Sequence, residues 1–182
     1  SHLSSRVRVS AVANTARHTY GVTLVGVDPG AEAKVSFLGS GLSSGRLLPP
    51  DPANSMLIGQ ALAERFQTRI GRKIILMAQD TKGQIASRAF RIQGIFDADM
   101  QSTEKQFVFI RKDRAQAMRG LETAVSEISI LLPRHELADT VAQDTAARLA
   151  AEPLSIRTWK QALPLLQVYL DLHDGFVLIW FL

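Results

Sequence analysis

The sequence predicts an α+β domain, on three observations. Arg6 to Val12 alternates polar and apolar residues with the period of two expected of a half-exposed strand. Gly59 to Ile70 repeats apolar residues at a spacing of four, which is typical of one face of a helix. Residues 125–157 follow a β-α-β pattern, the clearest supersecondary signal in the chain.

The first third of the chain predicts two strands and a loop. Tyr20 to Val27 is expected to form a second, more buried strand, followed by a turn at Asp28-Pro29-Gly30. Ala31 to Leu38 is expected to form a short helix. Gly39 to Pro50 is rich in Gly, Ser and Pro, so this loop is the best internal boundary.

The middle of the chain predicts a helix and then a hairpin. After a short strand at Met56 to Ile58, the helix from Gly59 to Ile70 is expected to end at Gly71, where a C′ glycine belongs. The hairpin consists of a strand, a turn with its glycine in the left-handed region, and a longer return strand: Lys73 to Ala78, Gln79 to Gln84, and Ile85 to Phe96.

The last elements complete the β-α-β pattern. Asp97 to Gln106 is expected to be a polar loop. A strand at Phe107 to Ile110 and a helix at Asp113 to Arg119 follow it. The β-α-β unit combines strands at Val125 to Leu132 and Leu154 to Arg157 with a helix at Glu136 to Leu149. The buried face of that helix is predicted at four positions: Leu137, Val141, Thr145 and Leu149.

Composition indicates a globular domain and disfavours several functions. Of the 182 residues, 46% are hydrophobic and 21% charged, which is ordinary globular usage. The net charge of +4 is a small excess of 21 cations over 17 anions. The densest cationic clusters are interrupted by apolar or acidic residues, which does not favour nucleic-acid binding. These clusters are Arg69, Arg72 and Lys73, and Arg111, Lys112 and Arg114.

No catalytic, metal or cofactor site is predicted. The chain has no cysteine, which excludes thiolate catalysis, Cys-based zinc sites and disulfides. Of its four histidines, only His135 is spaced like a ligand pair, with Asp139, and both residue types also serve ordinary roles at a helix start. No glycine pattern matches a phosphate-binding loop.

The C-terminal residues Gly175 to Leu182 form an uninterrupted apolar run after Asp174. Eight residues cannot span a bilayer, which needs about 20. The run is expected to be either a buried final strand or helix, or the first part of a transmembrane helix with Trp180 near the interface. The abrupt apolar end slightly favours the second interpretation.

Several segments, in order and spacing, together resemble one family. They are Leu24-Val25-Gly26-Val27-Asp28-Pro29 with Glu32, Gly45-Arg46 within Leu42 to Leu47, Ile58-Gly59 with Leu62-Ala63, Arg91-Ile92-Gln93-Gly94-Ile95-Phe96 after Gly71, Phe107-Val108-Phe109-Ile110 with Ala115, and Thr158-Trp159-Lys160 with Pro164. This set is similar to the periplasmic domain of the MacB/LolC/LolE/FtsX-like permeases of ABC transporters. The likeness covers roughly Tyr20 to Leu182.

The resemblance implies a domain inserted between two transmembrane helices of a permease in the bacterial inner membrane. It implies a porter-like β-α-β subdomain from the two ends of the segment, residues 1–48 and 119–165, and an inserted mixed subdomain with a long hairpin, residues 49–118. Residues 166–182 would be the membrane-proximal segment and the start of a transmembrane helix.

The resemblance also implies a function and its partners. The domain would couple cytoplasmic ATP hydrolysis to movement or release of a lipoprotein, hydrophobic compound or peptide, and would itself be non-catalytic. Its partners would be a cytoplasmic ABC ATPase, a second permease in a dimer and a periplasmic or outer-membrane protein. The alternative is a stand-alone periplasmic protein-interaction domain.

A partner-binding site is predicted at the hairpin tip. In lipoprotein-releasing members of one type, the corresponding hairpin is a longer loop that grips the carrier. Here its tip is only Asp80-Thr81-Lys82-Gly83, with Arg88 on the return strand. The resemblance therefore points to these five residues as the partner contact, although the short tip does not support direct carrier capture.

Overall fold

The structure, a computed structural model, describes residues 1–50, 53–98 and 101–162. The strands are β1 His2–Asn14, β2 Thr19–Val27, β3 Leu42–Gly45, β4 Ser55–Gly59, β5 Lys73–Gln79, β6 Ile85–Phe96, β7 Phe107–Arg111 and β8 Glu127–Leu131. The helices are α1 Pro29–Glu32, α2 Gln60–Arg65, α3 Gln101–Gln106, α4 Lys112–Arg119, α5 Ala138–Arg148 and α6 Trp159–Ala162. This mixture confirms the predicted α+β class. The chain divides into two compact units, Ser1–Leu131 and Leu132–Leu182.

Six strands of the first unit close into a ring. β1 pairs antiparallel with β2, and β2 pairs parallel with β7. β7 pairs antiparallel with β4, and β4 parallel with β6. β6 then returns through β5 to β1 by two antiparallel pairings. β3 adds to β6, and β8 to the first half of β1.

The interior of the ring is the main hydrophobic core. Alternate side chains of all six strands point inward, among them the fully buried Leu24, Leu76, Phe90 and Ile110. Alternation along β6 predicts one face made of Phe90, Ile92, Gly94 and Phe96. Phe90 and Ile92 do face this core and Arg91 is exposed, but the pairing with β4 shifts register between Ile92 and Gly94, and Phe96 lies in a second core. α4 contacts β1, β2, β5, β6 and β7 through an apolar face, so it closes one end of the ring. Burial of these aliphatic side chains supplies the main stabilisation of the fold.

A second, smaller core lies on the outer side of β2, β7, β4 and β6. Its members are Val25, Val27, Leu38, Leu48, Leu57, Phe96 and Phe109. β3 crosses here at close range, with Gly45 opposite Gly94 in the register. A Cβ on Gly94 would lie 2.6 Å from the carbonyl oxygen of Arg46. The backbones of β3 and β6 therefore cross so closely that only glycine fits at positions 45 and 94.

The predicted helix from Gly59 to Ile70 is wrong in its second half. α2 ends at Arg65, and Gln67 adopts a φ of +50°, which stops the helical path. Leu62 and Phe66 are buried as expected, but Ile70 is 40% exposed. Gly71 does have a left-handed φ of +86°, but it begins the turn into β5 rather than ending a helix.

Two further local predictions are corrected. The helix expected over Ala31 to Leu38 is replaced by α1 and a separate 3-10 turn at Phe37–Gly39. The loop expected over Asp97 to Gln106 contains α3. Glu104 of α3 is only 7% exposed and accepts hydrogen bonds from the backbone N–H groups of Ala98 and Ala61, at 2.9 and 3.2 Å. The bond to Ala61 joins residues 43 positions apart, so no local pattern signals it.

The second unit contains α5 and α6 but no strand among its described residues, 132–162. Leu154 to Arg157 has no regular secondary structure, so the predicted β-α-β unit is wrong in its last element. The helix begins at Ala138 after a 3-10 turn at His135–Leu137. Its predicted face is only half-buried at Leu137, Val141 and Thr145, and Leu149 is 38% exposed.

The division into subdomains 1–48 with 119–165 and 49–118 remains a prediction. The run Phe176 to Leu182 lies outside the described residues. No helix in the described part of the chain is long and apolar enough to cross a membrane.

Candidate partner-binding site at the hairpin tip

The hairpin tip is a tight turn organised by Asp80. Its carboxylate Oδ1 accepts hydrogen bonds from the backbone N–H groups of Lys82 and Gln84, each at 2.8 Å. Gly83, with a φ of +81°, donates its N–H to the Asp80 carbonyl at 3.2 Å. An aspartate that satisfies its own turn in this way favours a defined loop conformation. The predicted turn and its glycine are thus confirmed.

The tip is also attached to the C-terminus of α4. The Thr81 N–H donates to the Arg119 carbonyl at 3.0 Å, and Arg119 Nη1 donates to the Gln79 carbonyl at 2.7 Å. Gly120 ends α4 with a left-handed φ of +67°, which turns the chain away beneath the hairpin. These bonds satisfy the Arg119 carbonyl at the end of α4 and the Gln79 carbonyl at the end of β5, so they fix the position of the tip against the helix.

The structure brings four of the five predicted site residues together. Thr81, Lys82 and Gly83 are exposed and Asp80 is half-buried in one turn. Arg88 lies opposite Leu76 in the register, about 10 Å along β6 from Ile85, and is half-buried. The tip offers one exposed cation, Lys82, on an ordered turn. Such a surface can contact another protein but carries no nucleophile or acid-base pair.

A polar junction, missed by the sequence predictions, connects β1, α1 and β8. Arg6 Nη2 and Nε reach the two carboxylate oxygens of Glu32 at 2.7 and 3.0 Å. Ser4 Oγ donates to Glu32 Oε2 at 2.7 Å. Arg6 Nη1 and Arg8 Nε bind the two oxygens of Glu127 at 2.8 and 3.0 Å. Arg6 therefore connects α1, through its buried Glu32, to the added strand β8.

Hydrogen bonds and opposite charges keep Glu32 and Arg6 of this junction ionised. Burial alone would raise the pKa of Glu32, but hydrogen bonds from Arg6 and Ser4 and the positive charge of Arg6 outweigh burial and lower it. Burial likewise opposes the charged form of Arg6, yet its bonds and attraction to Glu32, and then to Glu127, raise its pKa. Both partners are therefore ionised at neutral pH. The only sequence signal for the pair is Glu32 beside the Asp28-Pro29 turn, which does not reveal its partner.

The His135 and Asp139 pair, considered for metal binding, has other contacts. Asp139 Oδ2 forms an ion pair with Lys160 Nζ at 2.8 Å. The His135 ring packs edge-on against Trp159, with ring centroids 6.5 Å apart. Within the described residues, no three His, Asp or Glu side chains come together as a metal site.

The fold is similar to that of a solved extracellular domain of a transporter. The extracellular domain of the noncanonic ABC-type transporter YknZ from Gram-positive bacteria superimposes with a TM-score of 0.58 at 15% identity, over 82% of this chain and 74% of that one. A domain assigned to a permease protein from Porphyromonas gingivalis matches with a TM-score of 0.47 at 18% identity, over 90% of this chain and 82% of that one. No curated protein matches the sequence.

The superposition on the YknZ domain shows a shared fold. The family model for the MacB-like periplasmic core domain matches residues 2–148. The chain belongs to the MacB-like periplasmic core domain family, which confirms the resemblance seen in the sequence. It is accordingly the extracytoplasmic, non-catalytic domain of an ABC transporter permease.

Proposed function

We propose that this domain couples ATP hydrolysis in the cytoplasm to movement or release of cargo on the periplasmic side of the inner membrane. Its cargo would be a lipoprotein, a hydrophobic compound or a peptide. The partners in this proposal are a cytoplasmic ABC ATPase, a second permease in a dimer, and a periplasmic or outer-membrane protein. Family membership over residues 2–148 is the observation that carries it.

The position of β1 supports mechanical coupling. β1 is the first strand of the chain and pairs with β2, β5 and β8. A displacement applied near His2 is therefore passed directly to three strands. The closed ring around a packed core resists deformation, so it is expected to move as one body.

The polar junction extends this coupling to β8. β8 has pairing only with the first half of β1, and two arginines of β1 hold its Glu127. Arg6 simultaneously binds Glu32, which is almost fully buried. β8 directly precedes the second unit, so β1 and the chain entering that unit share one ion-paired connection.

The hairpin tip is proposed as the contact for a periplasmic partner, through Asp80, Thr81, Lys82, Gly83 and Arg88. Its internal bonds and its attachment to Arg119 support this role because a preformed surface loses less conformational entropy on binding. The short tip is better suited to an auxiliary contact than to enclosing a carrier.

The organisation into a porter-like part, an inserted part and a membrane-proximal segment at 166–182 is part of the same proposal. Deleting residues 175–182 tests the last element. The deletion is expected to leave the midpoint of thermal unfolding unchanged and to reduce self-association in detergent-free buffer. A monomer that instead loses several degrees of stability would show that the run belongs to the folded core.

Distance measurements between spin labels test the coupling. Because these 182 residues contain no cysteine, Thr81→Cys provides a single labelling site in this domain of each permease, in a dimer reconstituted with its ATPase and without cysteines elsewhere. ATP is expected to change the distance between the two labels, whereas an ATPase unable to bind nucleotide should leave it constant. Lys34→Cys, on an exposed residue after α1, serves as a second reporter. Unchanged distances at both positions would contradict the coupling and favour a stand-alone interaction domain.

A further inference from the structure

The outer side of β1, β5 and β6 forms a bare surface on the ring. Ile74, Leu76 and Phe90 point into the core, so their neighbours along these strands point outward. The register places Lys73 beside Arg91, Ile75 beside Ala89, and Val12 beside Met77. These six residues are called the basic strip.

The basic strip has an exposed apolar centre. Ile75 is 43% and Val12 36% exposed, Ala89 is exposed, and Met77 is half-buried. The second core lies on the outer side of β2, β7, β4 and only the C-terminal end of β6, at Phe96, so it does not reach these residues. Adjacent exposed aliphatic residues on a sheet are typical of a surface that another molecule covers.

One end of the basic strip concentrates positive charge. Lys73 and Arg91 are direct cross-strand neighbours, an arrangement of like charges that destabilises a sheet. Arg91 Nη1 donates to the Gly71 carbonyl at 2.7 Å, which holds its guanidinium at this end. Arg72 precedes Lys73, and the backbone N–H of Arg46 bonds to the carbonyl of Gln93, so further exposed cations lie alongside.

The exposed cations at this end have no carboxylate partner among the described residues. None of Arg46, Arg72, Lys73 and Arg91 pairs with a carboxylate of the described residues. Moreover, β1, β2, β5 and β6 contain no Asp or Glu at all. The positive charge at this end is therefore not offset by a carboxylate from these four strands, which favours an anionic ligand.

The chemistry of the basic strip favours a protein segment as its ligand. Proteins that bind single-stranded nucleic acids stack the bases on aromatic side chains, and proteins that bind membrane surfaces are anchored there by Trp and Tyr. The basic strip contains no aromatic residue, so neither ligand is favoured. The backbone of β5 is already paired on both sides, by β1 and β6, so recognition must be through side chains. We propose that the basic strip binds an acidic, partly apolar segment of another protein, with its carboxylates at Lys73 and Arg91 and its aliphatic side chains on Ile75 and Met77.

The test uses the chain of residues 1–182 and a fluorescently labelled peptide of alternating Glu and Leu, with a Lys and Leu peptide as its charge-reversed counterpart. Fluorescence anisotropy should show binding of the acidic peptide alone, weakened by added salt. The double substitution Lys73→Gln with Arg91→Gln is expected to weaken binding about tenfold, a factor of about three for each exposed ion pair. Ile75→Ser should weaken it by a smaller factor.

A matched control variant tests whether binding depends on the cations of the basic strip or only on the net charge of the domain. Lys34→Gln with Arg148→Gln removes the same net charge from exposed residues outside the basic strip and should leave the Kd within about twofold. The midpoint of thermal unfolding is measured for each variant, and it should not fall for the strip pair because like-charge repulsion is relieved. Absence of acidic-peptide binding, equal binding of both peptides, or equal weakening by both variant pairs would overturn the proposal. So would binding only to phosphatidylglycerol vesicles or to single-stranded DNA.

Discussion

Arg6 and Glu32 form a two-point salt bridge at 2.7 and 3.0 Å, with their side chains 14% and 2% exposed. Ser4 fills a further acceptor site of the carboxylate, so the buried charge has several donors. The pair joins the first strand of the ring to the short helix α1. The contribution of this salt bridge to stability depends on both partners, because removing one leaves the other charge in a desolvated site.

Glu32→Gln is therefore expected to destabilise the domain. The amide keeps the shape of the side chain but presents an NH2 group or a neutral oxygen to Arg6 and Ser4. The free energy of unfolding should fall by about 3 kcal/mol, as for other broken buried pairs. Urea denaturation monitored by far-ultraviolet circular dichroism measures the change.

Glu127→Gln is the matched control for that substitution. Its side chain is 34% exposed, so water compensates for much of the lost attraction to Arg6 and Arg8. The expected loss is below about 1 kcal/mol. Equal losses for the two variants would contradict the special role of the buried pair.

Acid is expected to destabilise the domain through two carboxylates. The pKa values of Glu32 and Glu104 are both lowered from the ordinary 4.5, Glu104 mainly by the hydrogen bond from the Ala98 N–H. A lowered folded-state pKa stabilises the fold fully above pH 4.5, and that stabilisation is lost as the pH falls through the folded-state values. Urea midpoints should stay level from pH 7 to about pH 5 and then decline. In Glu32→Gln the decline should be shallower, whereas an identical decline would show that Glu32 does not contribute.

Gly94→Ala should destabilise the crossing of β3 and β6. A new Cβ would lie 2.6 Å from the Arg46 carbonyl and 3.1 Å from Leu57 Cδ2, so the two backbones must separate. The expected cost is about 3 kcal/mol, the upper range for overpacking. Gly21→Ala is the control because nothing lies within 4 Å of its added Cβ. Thermal unfolding should separate the two variants, and similar midpoints would count against the close crossing.

Asp80→Ala should loosen the hairpin tip without unfolding the ring. The substitution removes both 2.8 Å bonds to the Lys82 and Gln84 amides, at a cost of about 1 kcal/mol. Hydrogen exchange resolved by residue should show faster exchange at these two amides, while those of the β5 and β6 interior stay unchanged. Thr81→Ala is the comparison, since the Thr81 hydroxyl makes neither bond. If exchange at the tip is the same in both variants, the carboxylate does not organise the turn.

The sequence by itself determined the local elements whose signal is periodic or conformational. The alternation along β6 predicted the face that Phe90 and Ile92 share, and the turn over Gln79 to Gln84 was predicted because its glycine supplies the left-handed position. The set of short motifs, including Gly45-Arg46 and Gly94, also identified the family. Such features depend on neighbours within a few residues, so they can be read along the chain.

Only the tertiary structure decided the ring closure, the polar junction and the early end of α2. Periodicity shows which face of a strand is buried but not which strand is its neighbour, so the pairing of β2 with both β1 and β7 could not be deduced. Arg6 and Glu32 lie 26 positions apart and meet only when β1 and α1 pack together. The apolar spacing that extended the predicted helix to Ile70 was overridden where the chain turns at Gln67 to enter β5. In each case contacts distant in sequence outweighed a local preference of a few tenths of a kcal/mol per residue.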